Sequence, residues 1–289
     1  MSLKKRVAAG IVVRNGWAVQ SIGFHRYLPV GDPAILAETL DRWEVDEILI
    51  QDITASEYGR APDLALIRRV AERISTPLAV AGGIRSVENV HDVIACGADK
   101  VIVNTAGVKD PALFRRTADL FGRQCVVASI DFHRSDDGEI RLFNRLIEAD
   151  VLNRHSLLEW VALFQNSGAG EILLNAVDRD GRKTGFDMGV IDLVASVLNV
   201  PLVVIGGARN GADILTALRH PGVAAAGAAN MWTFSEQSVL YVKSFLAAED
   251  AHVRLDHDRA YLGRGLAWDG RPEMRRETQL DELIYGALS

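Results

Sequence analysis

The sequence predicts a single α/β domain of the (β/α)8 barrel class, built from two half-barrel repeats. Eight short apolar runs alternate with amphipathic stretches of helical period, and the pattern returns on itself at a fixed offset. A chain of 289 residues fits two small domains or one barrel of roughly 250 residues, so the pattern decides and not the length.

The eight runs are, in order, "RVAAGIVV", "DEILIQDI", "PLAVAGG", "DKVIVN", "CVVASIDF", "EILLNAV", "PLVVIGG" and "VAAAGAAN". Most are rich in β-branched residues and nearly unbroken in apolar character, as parallel strands buried on both faces must be. The segments between them, such as "PAILAETLDRWEV" and "APDLALIRRVAERIS", alternate apolar and charged positions like helices packed on one side. A βα unit used eight times closes most economically into a barrel.

The repeat sharpens this reading. "DEILIQD" aligns with "GEILLNA" and "PLAVAGGIR" with "PLVVIGGAR", and the offset is 124 residues in both (171 − 47 for the glutamates, 206 − 82 for the first glycines). Equal offsets in two separated places make chance a poor explanation. Carried to the first strand with a shift of a few residues, the alignment sets Ile11 against Ile130 and Val12 against Asp131. The barrel is expected over residues 1–255. Residues 256–289 form an extension whose last dozen predict an amphipathic helix through Leu280, Leu283, Ile284 and Leu288.

Composition narrows the function classes. The hydrophobic fraction of 48% with 24% charged residues is that of an ordinary soluble protein, and the net charge of −6 argues against nucleic acid as a partner while allowing a local basic pocket. No apolar run approaches the roughly 20 residues that span a bilayer, and "MSLKKRVAAG" lacks the apolar core of a signal peptide, so no membrane partner and a cytoplasmic location are expected. Cys96 and Cys125 have no metal-ligand spacing and are expected as buried free thiols. Neither a metal nor a cofactor is expected.

In a barrel of this class, functional groups sit where the strands end in the loops that follow. Gly82-Gly83 and Gly206-Gly207 end strands three and seven, where glycine lets backbone N–H groups approach an anion or simply permits a tight turn. Each pair has a polar strand end one unit later, Asn104-Thr105 and Asn230, which favours two phosphate sites. The loop "DRDGRKTG" after strand six is placed to help hold the second phosphate, although a solvated turn would look the same. Asp131 ends strand five as a candidate general acid or base, with only Val12 at its symmetric position. At the opposite rim Arg6, Glu47, Lys100 and Glu171 begin strands one, two, four and six. If they point inward, their alternating signs suit a salt-bridged ring with a gating role.

The segments "VDEILIQDITAS", "AGGIRS", "GADKVIVNTA", "VVASIDFHR", "SGAGEILLNAVDRDGRKTGFD" and "IGGARN", with "GDP" at 31 to 33, resemble the HisF family, the cyclase subunit of imidazole glycerol phosphate synthase in histidine biosynthesis. The resemblance runs from about Arg6 to Leu255. It implies a TIM barrel that pairs at its lower face with a HisH-like glutaminase, takes ammonia past a charged gate, and reacts it at the upper face with a two-phosphate substrate. Residue by residue, it implies a gate of Arg6, Glu47, Lys100 and Glu171, a first phosphate site at Gly83, Asn104 and Thr105, a second at Asp180, Gly181, Gly207 and Asn230, and the catalytic acid Asp131. Asn230 stands where the family usually has serine.

The strand-one acid of the family's motif is Val12 here, and the lysine that usually follows is Gln20. Valine cannot move a proton, and ring closure with loss of a glycerol phosphate arm needs transfers on both faces. The sequence is therefore most similar to HisF-like paralogues associated with glutamine-dependent sugar amidation in surface-polysaccharide synthesis. It is expected to be a lyase-family synthase subunit that accepts ammonia for an amidation, with cyclase chemistry altered or lost. Its partners would be the glutaminase and a phosphorylated small molecule or a downstream amidation enzyme. The alternatives are an authentic cyclase, a barrel that only scaffolds or activates the glutaminase, and the related isomerase of the same pathway.

Overall fold

Each predicted strand exists and all eight pair in parallel. In a computed structural model describing residues 4–135, 137–256, 260–261 and 265–273, the barrel strands are β1 (Arg6–Arg14), β2 (Glu47–Asp52), β3 (Leu78–Ala81), β4 (Lys100–Val103), β5 (Val126–Arg134), β6 (Glu171–Ala176), β7 (Leu202–Ile205) and β8 (Val223–Ala228). The ring closes where β1 pairs with β8, Arg6 opposite Ala225 through Ala9 opposite Ala228. Eight helices pack outside it: α1 (Pro33–Arg42), α2 (Leu64–Ala71), α3 (Val87–Ala95), α4 (Ala112–Phe121), α5 (Leu157–Asn166), α6 (Met188–Ala195), α7 (Gly211–Arg219) and α8 (Ser238–Ala248).

Burial on both strand faces produces two separate apolar layers. One cluster fills the space between strands and helices, with Phe114, Phe164 and Trp232 fully enclosed. The other lies inside the barrel and takes one residue from each strand: Ala8, Leu49, Ala79, Ile102, Val127, Leu173, Val203 and Ala225. Side chains alternate along a strand, so polar groups one step below and above this layer can also face inward.

The repeat extends to single hydrogen bonds. Asp32, Asp63 and Ser86 cap α1, α2 and α3, each accepting a backbone N–H of its own first turn. Ser156, Asp187 and Asn210, each 124 residues later, do the same for α5, α6 and α7. Neither α4 nor α8 has a side-chain cap, and the correspondence ends there.

Two strands leave the barrel plane. After β1, Asn15 and Gly16 both take positive φ (50° and 81°), the conformation an Asn-Gly hairpin turn demands, and the chain returns as Trp17–Ile22 and then Arg26–Gly31. β5 likewise overruns the barrel to pair with Ile140–Leu142.

Among the described residues no helix is long and apolar enough to cross a membrane. Cys96 is buried and free, whereas Cys125 is free but only half-buried. Val253, at the end of the barrel segment, bridges Lys5; of the extension, Tyr261 packs at a tilt on Tyr241 of α8 with ring centroids 4.4 Å apart, and the Asp269 carbonyl accepts the Gly211 N–H at 3.0 Å. The helix expected through Leu280, Leu283, Ile284 and Leu288 lies outside the described residues.

The rim glycines are sterically required. A Cβ on Gly82 would lie 2.3 Å from the Asp52 carbonyl oxygen, and one on Gly206 would lie 2.6 Å from that of Ala176, the same contact one repeat later. Both glycines also have positive φ, 113° and 94°. Gly206→Ala is therefore expected to cost about 2 kcal/mol or more, read as a lowered midpoint in urea unfolding.

Candidate functional site

At the lower end of the barrel the four charged strand-start residues face inward and form a closed ring. Lys100 Nζ donates to Glu47 Oε1 and Glu171 Oε2, both at 2.7 Å, and the Arg6 guanidinium pairs with the same two carboxylates from the other side. Signs alternate around the ring, so each cation meets two anions and each anion two cations. Glu47 and Glu171 are 2% and 5% exposed. Burial by itself would lower the Arg6 pKa, but Glu47 and Glu171 outweigh it and hold the guanidinium above its ordinary value. Two carboxylates this deep are tolerable only because the pairing is complete. The carboxylates are repeat equivalents, one from each half; both cations come from the first half.

Moving up two residues on each of these strands reaches Ala8, Leu49, Ile102 and Leu173 of the inner apolar layer. Two more reach Gly10, Gln51, Asn104 and Asn175, about 13 Å from the ring along the strands.

There the chain places Asp131. Its carboxylate accepts the Asn104 amide at 2.8 Å and the Asn175 amide at 2.9 Å, with Ser129 Oγ at 3.5 Å. Removal from bulk water pushes the Asp131 carboxyl up to about 6; the three hydrogen bonds pull it back down and the charge of Asp180 adds to the rise. Asn144, from the loop after β5, donates to both Asn104 Oδ1 and Thr105 Oγ1 at 3.0 Å. That bond fixes the Asn104 amide so that its NH2 faces the carboxylate. β1 lies four strands from β5, so Val12 occupies the opposite wall. Its methyl groups and the Asp131 carboxylate line one cavity.

This cavity, about 660 Å³, holds the expected first-phosphate residues Gly83, Asn104 and Thr105 as well as Asp131. The Gly83 N–H donates to Ser56 Oγ at 3.2 Å. A second cavity of about 50 Å³ is lined by Asp180, Gly181, Gly207 and Asn230, the expected second set. The two share Val12, Phe24, Gln51 and Asn175, so they are adjoining chambers.

The side chains of the second set are already engaged by the β1 hairpin. Asp180 accepts the Ser21 hydroxyl at 2.6 Å, and Asn230 both donates to the Ser21 carbonyl at 2.6 Å and accepts its N–H at 3.2 Å. Gln20 donates to Thr233 Oγ1 at 2.7 Å. Burial raises the Asp180 pKa against the opposing bonds from Ser21, Phe24 and Gly23. The hairpin tip thus sets Phe24 over the boundary between the chambers.

Sequence reasoning missed Asn175, Gln51, Asn144, Ser56 and Phe24. Gln51 and Asn175 stand 124 residues apart and could have been found by carrying the repeat to the next inward position. Asn144 lies in the loop after β5, where the two halves align only with a shift of residues, so the repeat gives it no exact partner. Among the described residues no group of three His, Cys, Asp or Glu side chains is arranged to hold a metal ion.

Compared with known proteins, residues 6–236 match the family described as "Histidine biosynthesis protein". A Vibrio vulnificus (strain YJ016) protein, provisionally named imidazole glycerol phosphate synthase subunit hisF2, is 33% identical over 274 residues, covering 93% of this chain and 98% of that one. The imidazole glycerol phosphate synthase subunit HisF of Natranaerobius thermophilus is 35% identical over 254 residues, 88% of this chain and all of its own. That of Mycobacteroides abscessus is 38% identical over 258 residues with the same coverage.

The raised carboxyl has a signature. With 3.8 as its ordinary value and about 6 in the fold, Asp131 keeps its proton while the unfolded chain has lost it, so its contribution makes stability fall as pH rises through that window. A carbon-13 NMR titration of the Asp131 carboxyl should show a midpoint near 6. Asn104→Ala or Asn175→Ala should move it higher, because each removes a bond that favours the charged form.

Proposed function

This chain belongs to the HisF family of histidine-biosynthesis proteins, and we propose that within it the protein is an ammonia-accepting synthase subunit whose two-acid cyclase arrangement has been lost. The observation that carries this reading is Val12 opposite Asp131 in one chamber. Two neighbouring carboxylates are already engaged elsewhere. Asp52 is bonded to Thr54 N–H, Thr54 Oγ1 and Ala55 N–H, and Asp180 to the hairpin.

The route for ammonia is supported by what lies below. A HisH-like glutaminase on the lower face would release ammonia at the ring, where Lys100, like Arg6, is held by Glu47 and Glu171. Swinging Lys100 aside opens the ring while Arg6 keeps both carboxylates paired. The layer above favours neutral ammonia over ammonium, since an apolar interior with no counter-charge penalises the ion. Ala8, Ala79 and Ala225 keep three of the eight strands thin there. At the mouth, Asp131 with its carboxyl near 6 can take up a proton as nitrogen is delivered to a phosphorylated acceptor in the large chamber.

A second reading, the working cyclase, is favoured by the Asp131 cluster itself, which keeps a perturbed and well-oriented acid. The two separate in one set of assays. With a HisH-like glutaminase, Lys100→Ala is expected to lower the yield of transferred ammonia per glutamine hydrolysed about tenfold. With the two-phosphate ribotide of histidine biosynthesis and added ammonium, turnover is expected to be slow and Val12→Asp to raise it by about 100-fold. Failure to bind a glutaminase, or fast cyclisation indifferent to Val12→Asp, overturns the proposal.

A further inference from the structure

The extension, which lies past the end of the resemblance to the family, returns the chain from the lower face of the barrel to the upper one. Val253, just before it, bridges Lys5, the neighbour of Arg6. Higher up, the Tyr261 N–H donates to Ser244 Oγ at 2.8 Å, midway along α8. The Tyr261 ring packs on Tyr241, one turn nearer the helix start, and its hydroxyl bonds Gln237, the residue before α8. Residues 265–273 then reach the start of α7. Helices of a barrel begin at the rim where the strands end, so these contacts climb α8 and finish beside the second chamber.

The contact with α7 is closely fitted. The first N–H groups of a helix have no partner within it, and here the Gly211 N–H donates to the Asp269 carbonyl at 3.0 Å. The Asn210 side chain caps α7 through Oδ1 and turns its amide to the Asp269 carboxylate at 3.4 Å. That carboxylate, on a residue only 8% exposed, also takes the Arg271 backbone N–H at 3.2 Å and its guanidinium at 3.4 Å. Gly211 has no positive φ to demand glycine, and glycine is a poor helix residue. Space demands it: a Cβ there would lie 3.0 Å from the Phe245 ring and 3.1 Å from the Asp269 carbonyl oxygen. A Cβ on Gly270 would be equally close to the same ring, at 3.0 Å.

The first turn of α7 is tied in turn to the second chamber. Asp213 accepts the Arg209 N–H at 2.8 Å and its guanidinium at 2.7 and 2.8 Å. The Gly207 carbonyl accepts the Gly185 N–H at 2.8 Å, and a Cβ on Gly207 would come within 2.3 Å of the Gly185 carbonyl oxygen. Gly206, Gly207 and Ala208 line the chamber. The loop of residues 206–210 is thus held on one side by the turn at Gly185 and on the other by the extension.

We propose that residues 265–273 are a positioning element of the second chamber: they fix the loop that lines it and so set its affinity for one anionic end of a ligand. A chamber of about 50 Å³ leaves little slack, and a lining loop displaced by about 1 Å no longer holds what it was shaped for. The inference rests on the proposed function only in taking the two chambers as the seat of a phosphorylated acceptor.

The test compares fructose 1,6-bisphosphate with fructose 6-phosphate by titration calorimetry on the full chain and two variants, and follows hydrogen exchange of residues 206–212. Gly211→Val drives the extension off α7 while keeping a residue that can begin a helix, as Val87 begins α3. Asp269→Ala removes the bond to Asn210 and lies outside the barrel. The unaltered chain is expected to bind the bisphosphate more tightly than the monophosphate. Gly211→Val is expected to weaken the bisphosphate about tenfold, to leave the monophosphate within about twofold, and to speed exchange of residues 206–212 about tenfold. Asp269→Ala should act in the same direction by about threefold, and decides alone if Gly211→Val does not fold.

Bisphosphate affinity unchanged in the folded variants, both ligands weakened alike, equal binding of the two probes by the unaltered chain, or no binding of either at millimolar concentration would overturn the inference. These readouts need no glutaminase. Failure of ammonia transfer with the titrations as expected would remove the proposed function and leave the positioning role standing.

Discussion

The pairing of β1 with β8 is the constraint on which everything else depends. Closure converts the two-residue period of each strand into an inside and an outside that hold all the way round. Charge, apolar layer and carboxamide layer then stack in that order up the interior, because Glu47, Leu49 and Gln51 are alternate residues of one strand, as are Glu171, Leu173 and Asn175 of another. A slip of one residue would send the ring carboxylates into the helix layer and bring core isoleucines inside.

On this frame two half-barrels are laid in near copy, and the copy fails at charged groups. The capping residues and the glycine contacts at the rim repeat at one offset, since they serve helix ends and close backbone approach, which both halves need equally. The exceptions are charged positions. The ring takes one carboxylate from each half but both cations from the first. Asp131 has valine for a counterpart, and Asp213, which pairs with Arg209, has Asn89 as its equivalent in the first half. Each break in symmetry concerns charge, and each sits on the barrel's interior or its upper rim. A folding requirement alone would have no reason to choose those places.

The hairpin after β1 joins the two chambers into one device. Its Asn-Gly turn is a local backbone demand, but its position over the mouth is set by Ser21 meeting Asp180 and Asn230, more than 150 residues away in sequence. Two residues expected to hold a phosphate are thereby shown bonded to the protein's own backbone and hydroxyl groups.

The eight strands, the repeat and the four ring residues were all legible in the sequence, because apolar continuity and alternation are properties of neighbours along the chain. So was the conflict between Asp131 and Val12, which needs only an alignment of the chain with itself. What tertiary structure alone decided was the pairing of polar groups: that Asn144 orients Asn104, that Arg6 and Lys100 share the same two glutamates, and that Asp180 faces the hairpin. Hydrogen bonds and ion pairs act through space between residues distant in the chain, and an asparagine in a loop reads the same whether it is solvated or orients the amide beside Asp131.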